Sequence, residues 1–134
     1  MSPKKTDELL RKYPKVFSNS PEIYRYGFSH GDGWYDLIDD LCGELSKLDL
    51  PKDFRVQQIK EKFGGLRFYV APETDEVREL ISRFERLSYE VCEACGEPGE
   101  ERKTKWIRTL CDYHYDLVTN DRKRFMEELY GRTE

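Results

Sequence analysis

The chain has 134 residues, of which 37% are charged and 37% hydrophobic, and its formal net charge is −4. Nine Tyr, seven Phe and two Trp exclude a disordered chain, and the length fits one domain with a modest core. The acidic balance argues against bulk electrostatic attraction to nucleic acid or an anionic membrane, and no apolar run approaches the roughly 20 residues of a membrane span.

The opening MSPKKTDELLRKYPK is basic but has no apolar stretch, so it does not read as a signal peptide and a cytoplasmic protein is expected. A short helix is predicted from Thr6 to about Tyr13, with Thr6 as N-cap and Pro14 stopping it. Residues 18–33, with SNSPE and HGDG, read as a loop pinned to the core by Tyr24, Tyr26 and Phe28. Asp32 then offers an N-cap to an amphipathic helix. Trp34, Leu37, Ile38, Leu41, Leu45 and Leu48 recur in it at three- and four-residue spacing, and it ends before Pro51. Cys42 sits in this pattern as a small buried hydrophobe.

Residues 54–70, FRVQQIKEKFGGLRFYV, read as a β-hairpin turning at Gly64-Gly65. That turn places Phe63 opposite Leu66, Glu61 opposite Phe68 and Ile59 opposite Val70 on a core face where Glu61 is the misfit. The other face carries Lys60, Lys62, Arg67 and Tyr69, with Lys62 opposite Arg67 and Lys60 opposite Tyr69. Thr74 caps a third helix with Val77, Leu80, Ile81, Phe84, Leu87 and Val91 in one stripe, and a last helix runs from about Asp112 to Tyr130.

The most specific motif is Cys92, Cys95, Cys111 and His114: C-x2-C, fifteen residues, then C-x2-H. Three thiolates and an imidazole are ligands that Zn²⁺ prefers, and two short clamps across such a loop can close a tetrahedron. With all four positions filled by protein the site is expected to hold one structural zinc ion. Gly96 eases the exit from a zinc knuckle, residues 101–109 can form two short strands, and Cys111 and His114 fall on the first turn of the last helix. Knuckle, hairpin and helix resemble a treble-clef zinc finger. The nucleases built on that fold need a second metal held by His with Asn or His, and His30, the other histidine, lies far upstream.

Two further clusters invite a function. His30 and Asp32, two apart between glycines, could act as acid and base of a small hydrolase, against the simpler reading of Asp32 as a helix cap. Lys60, Lys62, Arg67 and Tyr69 place like charges side by side, a cost that something negative should offset. Nucleic acid, a nucleotide, an acidic partner or the acidic helix at 32–50 could do so.

GDGWYDLIDDL, QIKEKFGGLRFYV and CEACGEPG…WIRTLCDYH together resemble a family of small uncharacterised zinc-motif proteins of bacterial and phage genomes, over residues 30–115. The resemblance implies one domain and a metal; a phage-encoded member would act on a host process in the host cytoplasm. The expected fold is α+β: amphipathic helices packed on a β-hairpin, with a C-terminal treble-clef-like zinc-binding unit. One domain would span 1–134, divided into an N-terminal helix (1–18), a helix–hairpin–helix core (30–91) and a zinc subdomain (92–134). The expected function is a non-enzymatic binding module for a protein partner, with nucleic-acid or nucleotide binding through the basic hairpin face as the alternative.

Overall fold

Three prolines organise the first thirty residues. Pro3, Pro14 and Pro21 each stand at the first position of a helix, where the missing N–H has no intrahelical partner to lose. The structure, a computed structural model, describes residues 1–131, and these prolines open α1 (Pro3–Lys12), α2 (Pro14–Phe17) and α3 (Pro21–Tyr26). This corrects two expectations. The first helix begins a turn before Thr6, with Ser2 as its N-cap, because Pro3 starts a helix as readily as Pro14 stops one. Residues 18–33 are not simply a loop, since they contain α3 and a short strand, β1 (Phe28–Ser29). Ile23 and Phe28 anchor this stretch, whereas Tyr24 and Tyr26 are 58% and 73% exposed.

A single 3₁₀ turn over Asp32–Trp34 leads into α4 (Tyr35–Ser46), which buries Ile38, Leu41, Cys42 and Leu45 behind Trp34. Burial pushes the Cys42 thiol up in pKa, so it stays protonated as a small apolar group. Strands β2 (Arg55–Lys62) and β3 (Gly65–Ala71) form the expected antiparallel hairpin, and β1 adds to β2 in parallel, giving the order β1-β2-β3.

The hairpin register differs from the predicted one. The turn is Phe63-Gly64, so Lys60 faces Arg67, Glu61 faces Leu66 and Ile59 faces Phe68. Moving the turn by one residue changes partners by two, which preserves alternation: Ile59, Leu66, Phe68 and Val70 still share the buried face. The reason lies outside the hairpin. A Cβ on Gly65 would stand 2.3 Å from the Tyr89 ring, so that glycine serves packing, and Phe63 takes the turn position with φ 53°. Glu61 ceases to be a misfit, because its Oε2 accepts the Gly64 N–H at 2.7 Å.

α5 (Asp75–Leu87) follows, capped as predicted by Thr74, whose Oγ1 accepts the Val77 N–H at 3.2 Å. It packs Val77, Ile81 and Phe84 onto the large core that also gathers Leu9, Phe17 and Trp34. Beyond it lie the antiparallel β4 (Glu100–Lys103) and β5 (Ile107–Leu110), then α6 (Asp112–Asn120) and α7 (Arg122–Leu129). The single last helix expected over 112–130 is therefore two. Asp121 leaves the helical region at φ −148° and its side chain accepts the Arg124 N–H, starting a new helix rather than continuing the old one. Cys92, Ala94, Leu110, Phe125 and Leu129 form a second, smaller core. The fold is mixed α and β with a small sheet. No helix among the described residues is long and apolar enough to cross a membrane.

Candidate metal centre

The first clamp is a tight turn. The Gly96 N–H donates to the Cys92 carbonyl at 2.9 Å, the Cys92 N–H to the Glu97 carbonyl at 2.7 Å, and Gly96 supplies φ 83°. The second clamp is a helix start: Cys111 is the N-cap of α6, and its Sγ accepts the His114 N–H at 3.4 Å. The four candidate ligand atoms lie within 4.8 Å of one another. Cys95 Sγ to Cys111 Sγ is 3.7 Å, Cys92 Sγ to His114 Nδ1 is 3.8 Å and Cys111 Sγ to His114 Nδ1 is 3.4 Å. A tetrahedral ion with bonds of about 2.3 Å to sulfur and about 2.0 Å to nitrogen requires edges of about 3.8 and about 3.5 Å. The residues fit a metal ion, and the four cysteines of the chain are all free of disulfides.

Surroundings that orient the ligands support the same reading. The far nitrogen of His114, Nε2, lies 2.8 Å from Glu128 Oε1, while Glu128 Oε2 holds Arg124 Nε at 2.8 Å. Carboxylate to Nε2–H to imidazole leaves the Nδ1 lone pair aimed at the thiols, the usual arrangement behind a metal-bound histidine. The hydrogen bond from Arg124, assisted by His114, holds the Glu128 carboxyl below its ordinary pKa despite some burial. The thiols are unequal. Burial pushes Cys95 up to about 12, with Cys92 close by adding to the rise. At Cys111 burial works in the same direction, but hydrogen bonds from the His114 N–H and ring outweigh it and hold the thiol at about 7. Three thiols so close can ionise together only around a cation.

The sequence motifs outside the clamp converge on it. Gly33 donates its N–H to the Glu93 carbonyl at 2.8 Å, Gly31 donates to Glu93 Oε2 at 2.9 Å, and Trp34 Nε1 donates to the Val91 carbonyl at 2.9 Å. A Cβ on Gly33 would lie 2.2 Å from the Cys92 carbonyl oxygen, so only glycine admits this approach. Glu93 is 1% exposed; burial raises its pKa, and the Arg108 guanidinium, 3.1 Å from Oε1, works against that rise. From the hairpin side, Thr109 Oγ1 donates to the Gly64 carbonyl at 2.7 Å. HGDGW and the glycine turn thus form a seam against the metal unit.

His30 and Asp32 take separate partners, and the expected helix cap is not made. Asp32 makes no side-chain cap to α4; its Oδ1 instead accepts the Ser2 N–H at 2.7 Å, fastening the chain start. His30 is fully buried between Phe28 and Trp34, with ring centroids 5.8 and 5.7 Å away, and its Nδ1 donates to the Gly31 carbonyl at 2.7 Å. Burial, aided by the Met1 amine, drives its pKa down to about 3. The unfolded chain therefore takes up a proton near pH 6.5 that the folded chain refuses until about pH 3. The contribution of His30 to stability is complete above pH 6.5 and falls as pH drops, by up to about 1.4 kcal/mol per unit below it. Denaturation midpoints of wild type and His30→Asn at pH 7 and pH 5 check this: the variant should lose less on acidification, although metal release contributes equally to both.

The four residues of the predicted basic face alternate onto one side of the hairpin, but their side chains take different partners. Arg67 turns back, its NH1 donating to the Leu66 carbonyl at 3.1 Å and to the Tyr89 hydroxyl at 3.2 Å. Tyr69 faces Gln58 rather than Lys60 and lines a cavity of about 380 Å³ with Glu22 and Tyr26. Lys60 is half-buried and Lys62 exposed at the tip. Among the described residues no acid of α4 forms a salt bridge with them: Asp39 pairs with Lys12 at 2.9 Å and with the Tyr13 hydroxyl, and Glu44 with Lys47. Phe63, expected on the core face opposite Leu66, is instead 64% exposed at the turn, and it shares a cleft with Trp106, 59% exposed, a residue that sequence reasoning missed. The signal for Trp106 was present, as a tryptophan between lysine and isoleucine in a short hairpin of polar residues.

No protein-family model, curated protein or solved structure matches this chain.

Proposed function

We propose that the four ligands hold one structural zinc ion in a treble-clef-like unit, and that the chain is a non-enzymatic binding module stapled by it. Three sulfurs and one imidazole in tetrahedral array are the donor set of structural zinc. Knuckle, β4–β5 hairpin and the first turn of α6 follow in the order of a treble clef. The observation that carries the reading is closure: protein atoms supply four converging ligands, and Glu128 fixes the imidazole from behind. A filled shell leaves no coordination position for water or substrate. When bound, the ion supplies cross-linking of the knuckle to α6. Residues of the chain do the rest, Glu128 orienting His114 and Gly31 and Gly33 docking the core. The resemblance to small zinc-motif proteins of bacterial and phage genomes supports the same reading, with regulation of a host process as the corresponding role.

Cobalt substitution tests this. One Co²⁺ per chain should give intense tetrahedral ligand-field bands with sulfur-to-metal charge transfer, unchanged by added azide. A five- or six-coordinate spectrum, or one that azide alters, would show an open position and overturn the structural assignment.

A further inference from the structure

We propose that the tips of the two hairpins form a surface for single-stranded nucleic acid, with Phe63 and Trp106 as stacking platforms and Lys62, Lys103 and Lys105 as phosphate contacts. This rests on the binding-module reading and names its partner.

The two tips are one surface. The Gly64 carbonyl accepts from Thr109, and a Cβ at Gly64 would touch Ile107 at 3.2 Å. Between the tips lies a cleft of about 250 Å³ lined by Glu61, Phe63, Trp106, Ile107 and Arg108. Phe63 is costly twice over, as an aromatic ring 64% exposed and as a bulky residue with φ 53°, where Gly or Asn is preferred. Neither the turn nor the core requires a ring there. Trp106 repeats the exposure on the opposite tip, at 59%.

Charge complements the rings. Residues 60–67 and 103–108 carry Lys60, Lys62, Lys103 and Lys105 against a single acid, Glu61, with Arg67 held by Tyr89 and Arg108 by Glu93, in a chain whose net charge is −4. Among the described residues no salt bridge engages Lys60, Lys62, Lys103 or Lys105. Lys103 pairs with Ile107 across β4–β5, so its side chain shares the face of the cleft. Lys62 Nζ stands 5.6 Å from the Phe63 ring centre, ready for a phosphate beside a stacked base.

The alternatives fit less well. A lipid surface would draw the rings into acyl chains, but the cleft between them is lined by the charged groups of Glu61 and Arg108. An acidic peptide would use the lysines and leave both rings in water. A duplex keeps its base faces covered. Unpaired bases use rings and cations together.

The test is a fluorescence-anisotropy titration of the full-length, metal-loaded chain with a labelled oligothymidylate of about 12 nucleotides. Binding should weaken with salt, with a log–log slope of about −2 for three phosphate contacts. Trp106→Ala should weaken it roughly 10- to 100-fold at unchanged metal content. Phe63→Gly should weaken it similarly while raising the thermal midpoint, opposite movements that a merely structural role of Phe63 would not give. Absence of binding at low salt, or binding indifferent to both variants, overturns the proposal, as does equal affinity for polyglutamate or for phosphatidylserine vesicles. Such a failure would leave one metal per chain and its tetrahedral spectrum intact, whereas failure of the module reading would alter those first.

Discussion

Cys111→Ser is expected to abolish stoichiometric metal binding and to lower the thermal midpoint by roughly 10 °C or more, as read by elemental analysis and calorimetry. The substitution is chosen because serine is a good N-cap, so the start of α6 keeps its cap while the metal loses a ligand. Structural zinc in finger peptides contributes about 10–16 kcal/mol, comparable with the whole stability of a domain. Around this centre the second core has, among the described residues, four buried apolar side chains besides the ligand Cys92, too few to hold two short strands and two short helices alone. Hydrogen exchange should rise across β4, β5 and α6, and also at the Gly31 and Gly33 amides, whose acceptors belong to Glu93. Glu128→Gln should keep the stoichiometry at saturating metal and weaken affinity about 10- to 100-fold. Cys42→Ala, a thiol in the other core, should leave metal content whole. An unchanged midpoint in Cys111→Ser would sink the structural assignment.

The second large effect concerns a residue with no side chain. Gly33→Ala would place a methyl group 2.2 Å from the Cys92 carbonyl oxygen and 2.6 Å from the Glu93 carbonyl carbon, both backbone atoms beside a metal ligand. Backbone cannot rotate away as a flexible side chain can, so the variant should lose about 3 kcal/mol in chemical denaturation, with weaker metal retention. Gly43→Ala is the matched control. It lies within α4, its new methyl would meet only the Tyr13 hydroxyl at 3.7 Å, and helix propensity predicts a gain of up to about 1 kcal/mol. Equal behaviour of the two variants would refute the close approach at the seam.

What could be read from the sequence follows the range of the interactions involved. Cys92, Cys95, Cys111 and His114 were legible because metal chemistry restricts both residue type and spacing. The stripes of α4 and α5 were legible through Leu45 and Phe84 because each helix buries one face, and Thr74 was a local cap; their expected ends were not, since Leu48 and Val91 lie beyond the helices and Leu87 is 41% exposed. The buried face of the hairpin was legible from alternation, but its register was decided by Tyr89 pressing on Gly65 from 24 residues away. HGDGW was visible as a motif, while its partner, the segment 91–93 with the Glu93 carboxylate, lies some sixty residues on. Local chemistry suggested an acid–base pair or a cap; the fold uses the segment as a docking ledge. α2 and α3 are too short to show a periodic face, and Asp121 interrupts a pattern that otherwise reads as one helix.

The docking ledge also limits how the protein can be divided. A fragment ending at Val91 would strand two glycine amides and the Trp34 indole N–H without acceptors or with a frayed one. A fragment beginning at Cys92 would keep Arg108 to neutralise Glu93 but lose the backbone that shields both from water. Neither half carries its own complete surface, so either piece made alone should be aggregation-prone, and the junction that looks like a convenient cut site is held by three hydrogen bonds from Gly31, Gly33 and Trp34.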